Sequence, residues 1–441
     1  MIIKGVIIMT DKKRIQYKSS SILAKDTFIS NDTWETGINN NVLVVGPSGA
    51  GKTRSYVKPN IMQANTNMIV SDAKGTLYRE TAPLLRANGY EVWHLDFVNM
   101  KGNVGYNPLS YIRYDPVRDE YDQKDILRVC EIVIRSMSEK EPFWDVAARM
   151  YVSSVIAYVL EALPEEEHTL EYVNRVIAET GIRRYDQMMN EHELLCPNSF
   201  AVRRYREFCV MAEADKMTAS VLGIAATNLS SFDFREAVDM YSRTPQVDFS
   251  AFSDRKIALF LTVSDTDRSQ DRLVNLFWTQ ALQGLIAAAD RGVGGRLAVP
   301  VRLYLDDFAT NVYIPDFDKI SSNIRSREIY VSVILQSVAQ LEALYGTARA
   351  STIIGNCDQQ LVLGVQDIHT AQLFAQRANK PASALLNMPL GECYLFVRGT
   401  PARKVFKYDI TTHINYSRCD AEPSAPCRDV CTENFEERMY E

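Results

Sequence analysis

The chain has 441 residues, 46% hydrophobic and 24% charged, the composition of an ordinary globular protein with room for two or three domains. Its formal net charge of -6 excludes a surface coated in positive charge as a means of holding a polyanion, although a channel could carry a basic lining inside an acidic exterior. Eight cysteines with no CxxC spacing read as reduced thiols of a cytosolic protein, not as a disulfide framework.

Met1 to Met9 (MIIKGVIIM) is apolar but far shorter than the roughly 20 residues of a membrane span. Asp11-Lys12-Lys13-Arg14 follows it where a secretory signal would carry a cleavage site. No other run reaches spanning length, so the chain is expected outside the bilayer, in the cytoplasm. Residues 1–27 read as an N-terminal extension. Val42 to Val45 is a short apolar β-branched run, the pattern of a strand buried on both faces.

That strand runs into Gly46-Pro47-Ser48-Gly49-Ala50-Gly51-Lys52-Thr53, which fits GxxxxGK[ST] without a mismatch. Glycines let backbone N–H groups curl round phosphate oxygens, and the following helix N-terminus adds partial positive charge. Lys52 is expected on the outer phosphates of ATP and Thr53 on Mg²⁺. The competing reading is a glycine-rich turn with an exposed lysine. Pro59 is expected to break or kink the helix about two turns in.

Met68 to Val70 is the next strand. From about residue 124 to 235 the pattern changes. Ile126, Cys130, Ile134 and Met137, then Trp144, Ala148, Tyr151, Val155 and Tyr158, recur at helical spacing and no strand is evident. An all-α domain over 124–235 is therefore expected, inserted in a nucleotide-binding domain made of 28–123 and 236–415. Within it, Arg183-Arg184-Tyr185 and Arg203-Arg204-Tyr205-Arg206 mix cations with aromatics, which suits phosphate contact plus base stacking or, equally, a helix face packed at its edge.

Strands resume at Ile257 to Val263, Val301 to Leu305, Ile329 to Leu335 and Leu361 to Leu363. Strands alternating with helices predict an α/β fold with a mostly parallel sheet. Cys393 to Val397 and Lys404 to Tyr408 flank Gly399-Thr400-Pro401 and read as a closing antiparallel hairpin.

Asp306 and Asp307 end the Val301 strand. Asp306 is the candidate Mg²⁺ carboxylate and Asp307 the residue that orients or deprotonates the attacking water; a capping pair is the alternative. Gln336 ends the next strand and could sense the γ-phosphate. Arg325 and Arg327 precede that strand, as candidate arginine fingers for a neighbouring subunit or as ordinary surface arginines. Residues 416–441 read as an acidic flexible tail, with seven Asp/Glu against two Arg from Asp420 onward. His413, Cys419, Cys427 and Cys431 are spaced too loosely to be read as a zinc site.

These residues resemble the coupling-protein ATPases of type IV secretion, the TraG-like family, over roughly residues 30 to 412. The resemblance rests on Gly37 to Ser55 (GINNNVLVVGPSGAGKTRS), Ser71 to Tyr78 (SDAKGTLY), Tyr106 to Leu109 (YNPL) and Pro142-Phe143-Trp144. It continues through Asp254 to Asp267 (DRKIALFLTVSDTD), Leu305 to Ala309 (LDDFA) and Ser326 to Leu341 (SREIYVSVILQSVAQL). It implies a RecA-like motor domain carrying an all-α domain that helps recognise substrate. It also implies a homo-hexameric ring when active that brings DNA, single-stranded with a bound relaxase, to components of a secretion channel. The family's ATP-site roles carry over onto Lys52, Thr53, Asp306 and Gln336, with Asp72 and Lys74 beside the nucleotide.

Three departures stand out. The two N-terminal membrane helices common in the family are not in this sequence, so the chain is expected to be either a soluble variant or one recruited to the inner face of the membrane by partners, and a monomer in isolation. Asp307 stands where Glu is usual, one methylene short. Ala73 replaces a usual proline. Two functions stay open: an ATP-driven DNA translocase, and a nucleotide-gated docking adaptor with little turnover. A small-molecule P-loop kinase fits poorly, since such enzymes seldom carry a long helical insertion between the two ATP motifs.

Overall fold

The computed structural model describes residues 6–8, 20–134, 142–211, 215–264, 266–308 and 313–419. The acidic segment from Asp420, with Cys427 and Cys431, and most of the apolar opening lie outside the described residues.

Strands β1 (Val6–Ile8), β2 (Ser20–Ala24) and β3 (Thr27–Ser30) form a small antiparallel sheet in the order β1-β3-β2. The main sheet begins with β4 (Val42–Val45), β5 (Asn67–Asp72), β6 (Glu91–Asp96) and the short β7 (Lys101–Gly102). After a small ladder of β8 (Tyr114–Asp115) and β9 (Glu120–Tyr121), it resumes with β10 (Ile257–Thr262), β11 (Val301–Leu305) and β12 (Ile329–Leu335). It ends with β13 (Gln359–Val362), β14 (Glu392–Val397) and β15 (Arg403–Phe406). The order across its ten strands is β15-β14-β13-β4-β12-β11-β5-β10-β6-β7.

All strands from β13 to β6 run parallel, and β14–β15 is an antiparallel hairpin on one edge. Helices cover both faces, so the inner strands are buried throughout, as β4, β5, β10, β11 and β12 all are. β6 was not legible from sequence, because Glu91 and His94 interrupt its apolar run.

Between β9 and β10 every described element is helical. The helix Pro142–Ala162 runs through the middle of this layer, packed by Gln123–Val133, Leu170–Leu195, Phe200–Met211 and Asp215–Leu229. Its stretch Phe143–Ala162 is long and apolar enough to cross a membrane by length and composition, contrary to the expectation that no such run exists. Most of it is buried within the protein, which gives the apolar composition a packing role.

Of the two readings of the aromatic–basic motifs, the structure supports the packed helix face. Tyr185 is fully buried, hydrogen-bonded to Ser154 Oγ at 2.9 Å, with its ring 5.2 Å from that of Tyr205. Tyr205 is buried as well. Neither ring can stack on a base. Arg204 pairs with Glu207, Arg206 with Glu193, and Arg203 lies over Phe200. Helical period explains this: the tyrosines fall on the inner face and most of the arginines on the rim.

Pro59 does not break its helix. The chain makes a π-turn over Thr53–Val57, with the Lys58 N–H bonded to Thr53 O, and continues as Lys58–Met62. The wide turn absorbs the hydrogen bond that proline cannot donate. Asn60 then binds the Tyr56 carbonyl at 2.7 Å and pairs with the Ile22 backbone, tying β2 to this helix.

Candidate nucleotide site

The ends of four neighbouring parallel strands, β4, β12, β11 and β5, carry the candidate residues. Ligands bind outside the carboxyl ends of such strands. Ser48 to Arg54, Asp72 to Lys74, Thr76, Leu77, Asp306, Asp307 and Gln336 line one cavity of about 560 Å³.

The loop after β4 is held from both sides. Gly46 N–H bonds the Leu335 carbonyl at 3.1 Å, and Leu363 N–H bonds the Val45 carbonyl at 2.7 Å. A side chain at Gly46 would meet Ala50 Cβ at 3.0 Å and Leu363 Cβ at 3.2 Å. Gly49 and Gly51 adopt φ of 76° and 85°, where a Cβ would be strained. Lys52 folds back on the loop, its Nζ donating to Gly46 O at 2.8 Å and Pro47 O at 3.3 Å.

Thr53 Oγ1 donates to Asp306 Oδ2 at 3.0 Å. Burial, with the Asp307 charge adding to it, pushes the Asp306 carboxyl up to about 6, and the Thr53 hydrogen bond and the Lys52 charge offset this only in part. Asp307 takes a left-handed φ of 47°, which a short polar side chain tolerates. Gln336 Nε2 donates to Asp307 Oδ1 at 3.2 Å, so the two strand ends are joined across the cavity floor.

Asp72 faces the cavity wall but is committed elsewhere. It accepts from Thr76 N at 3.1 Å and Tyr78 N at 2.9 Å, capping the helix Thr76–Ala87. Lys74 is exposed at the rim. The arginines do not join this cavity. Arg325 donates to Thr33 O at 3.3 Å, and Arg327 makes a two-pronged pair with Asp290 at 2.7 and 3.2 Å. They precede β12 whereas Gln336 follows it, so at about 3.3 Å per residue they stand on the order of 20 Å away.

The sequence profile described as Type IV secretory system Conjugative DNA transfer matches residues 3–380. The chain belongs to that family. Among curated relatives of the family, protein VirD4 of Rhizobium radiobacter is 24% identical over 337 residues, 74% of this chain and 46% of that protein. The chain thus spans about half the length of the curated relatives it matches. Among solved structures, the bacterial conjugative coupling protein TrwBdeltaN70 in complex with sulphate superposes with a TM-score of 0.67 at 16% identity, covering 92% of this chain and 93% of that one. TrwB in complex with ADP and Mg²⁺ gives 0.64 at 15% identity, over 92% and 94% of the chains. At these identities the likeness establishes the fold, a RecA-like P-loop NTPase α/β fold.

For this family member, sequence reasoning missed two contributors. Arg54 lines the cavity directly after the motif. Lys407 reaches the loop from the far hairpin, donating to Ala50 O at 3.0 Å. No motif could have found Lys407, because it is brought in by sheet order alone.

Proposed function

We propose that the chain is an ATP-binding and ATP-hydrolysing motor of conjugative DNA transfer, which brings a DNA–relaxase substrate to a type IV secretion channel. The observation that carries this reading is the meeting of Lys52, Thr53, Asp306, Asp307 and Gln336 in one cavity at adjacent strand ends. Family membership supports the coupling role, and the fold shared with TrwB bound to ADP and Mg²⁺ supports the nucleotide.

The loop amides from Gly46 to Thr53 cradle the phosphates, and Lys52 exchanges its two carbonyl partners for the outer phosphates. Thr53 Oγ1 and Asp306 are hard oxygen donors already side by side, and a cation between them would offset the cost of ionising the buried Asp306 carboxyl. They fit Mg²⁺, which when bound supplies neutralisation of phosphate charge. Asp307, oriented by Gln336, positions or deprotonates the water. Asp72 shapes the turn that presents Lys74. Arg325 would serve a neighbouring subunit of a homo-hexamer; Arg327 is less free for this, being held by Asp290. The all-α region 124–235 would help recognise substrate, on a protein working at the cytoplasmic side of the membrane.

The test is nucleotide binding and DNA-stimulated ATPase of purified protein, with Lys52→Ala as control. Tight binding that Lys52→Ala abolishes while the fold survives supports the site; equal affinity of the two proteins sinks it. The short arm of Asp307 favours a second reading, the nucleotide-gated docking adaptor. Binding without DNA-stimulated turnover would select it.

A further inference from the structure

Lys407 occupies an inward-facing position of the outer hairpin. Lys404 and Phe406 are exposed, while Val405 packs against the core that holds Cys393 and Leu363. By the two-residue period of a strand, Lys407 lies on the Val405 side, where an aliphatic residue would be ordinary. Its backbone is fixed on both sides, since Lys407 N–H bonds Gly391 O and Lys25 N–H bonds Phe406 O, each at 2.9 Å. Its half-buried ammonium group is delivered to the Ala50 carbonyl at 3.0 Å.

The hairpin's acid, Glu392, is paired with Lys404, and among the described residues Lys407 has no ion-pair partner. Burial pulls its pKa below the ordinary lysine value, so an arriving anion would favour the charged form.

Two arguments connect this cation to the ligand. Ala50 C=O and Gly51 N–H belong to one peptide group, so a cation on the oxygen polarises the unit and strengthens the N–H as a donor to phosphate. Sheet order gives the second. Asp306, Asp307 and Gln336 follow β11 and β12, on one side of β4, whereas Lys407 arrives from β15, on the other. A polyphosphate whose terminal group faces Asp306 and Gln336 therefore turns its inner phosphates toward the side held by Lys407.

We propose that Lys407 is a positioning residue of the nucleotide site, holding the phosphate loop through the Ala50 carbonyl and raising its affinity for the inner phosphates of a nucleoside di- or triphosphate. This rests on the ATP reading above. The experiment titrates ADP and ATP against the full chain as wild type, Lys407→Met, Lys407→Arg and Lys52→Ala, with kcat measured at saturating ATP.

Lys407→Met should raise Kd for ADP and ATP by the same factor, on the order of tenfold, the effect of losing one charge-assisted hydrogen bond. kcat should hold, and Lys407→Arg should restore most of the affinity. Wild-type-like binding by Lys407→Met overturns the inference. So does a loss of kcat and thermal stability that Lys407→Arg does not rescue. Wild-type binding abolished by Lys52→Ala but spared by Lys407→Met defeats Lys407 alone, whereas a wild type that binds neither nucleotide defeats the ATP reading and this inference together.

Discussion

Asp306→Asn should make the ligand-free protein more stable at neutral pH while destroying its response to Mg²⁺-nucleotide. The carboxyl rises from 3.8 to about 6, with burial the larger cause and Asp307 the smaller. A displacement of that size corresponds to about 3 kcal/mol for keeping the group ionised, and to roughly 1–2 kcal/mol after allowing for its opening onto a solvent-filled cavity. The folded-state pKa lies above the unfolded one, so the folded protein holds its proton longer. Stability therefore falls as pH rises from about 4 to about 6, and the penalty is complete above that. Asparagine is nearly isosteric and still accepts from Thr53 Oγ1, so it removes the penalty and keeps the hydrogen bond. Urea unfolding of both proteins at pH 7.5 and pH 4.5 measures this. The mutant should be the more stable at pH 7.5, by an amount that shrinks to well under half at pH 4.5. With saturating Mg²⁺-nucleotide the order should reverse, since only the carboxylate gains from a cation. A mutant no more stable than wild type at pH 7.5 without ligand would refute the claim that Asp306 is held ionised against its surroundings.

The remaining predictions follow from the same geometry. Mg²⁺-nucleotide affinity should weaken about tenfold per pH unit below about 6, as protons compete for Asp306, and isothermal titration at pH 5 and pH 7 checks it; a flat profile counts against Asp306 as ligand. Asp307→Glu should raise ATPase turnover by extending the arm toward water, at a cost near 1 kcal/mol for a longer side chain at positive φ, whereas Asp307→Asn should remove most of it. A Glu variant no faster than wild type means the backbone at Asp307 already places the shorter acid. Mixing Arg325→Ala/Arg327→Ala with Lys52→Ala, each inactive alone, should recover partial ATPase if an arginine acts across a subunit interface. Continued inactivity of demonstrated mixed oligomers would assign the arginines a local role.

What could be read in advance divides by range. Val42 to Thr53 declares a strand, a turn and a helix start in consecutive residues, and Val301 to Asp307 and Ile329 to Gln336 each place a polar residue at the end of an apolar run. All of these line the cavity or lead to it. The features that escaped are set by packing across the fold. Tyr185 and Tyr205 look like part of a nucleic-acid patch in a linear reading, yet meet in the core only because two helices cross there. Asp72 lines the cavity, but the bonds its carboxylate accepts from the helix that follows depend on a fold that its place in SDAKG does not reveal. β6 is hidden because His94 at a strand position finds its partners across the fold, Thr262 Oγ1 at 2.9 Å in the neighbouring strand β10 and the Tyr78 ring stacked at 4.1 Å.

The polar groups at the strand ends are bonded to one another, and one of these bonds connects the site to the elements behind it. Lys52 is satisfied by Gly46 and Pro47, Thr53 by Asp306, and Asp307 by Gln336. A nucleotide with its cation would draw on the same groups: Lys52 would trade carbonyl partners for phosphate, Thr53 would offer its lone pairs while still donating to Asp306, and Gln336 would turn from Asp307 toward the terminal phosphate. Gln336 is the member of this set with a mechanical connection. The next residue, Ser337, caps the helix Val338–Tyr345 by accepting from Gln340 N, and Val338 N–H is held by Thr370 Oγ1 at 3.0 Å. At the far end of that helix, Tyr345 OH binds both the N–H and the carbonyl of Ile314, in the connection leading from β11 to β12. Releasing Asp307 to engage the terminal phosphate would therefore alter the force on a helix anchored to the next loop of the same sheet. Under the proposed ATPase activity, loss of that phosphate would return Gln336 to Asp307, giving two distinct states from one hydrogen bond.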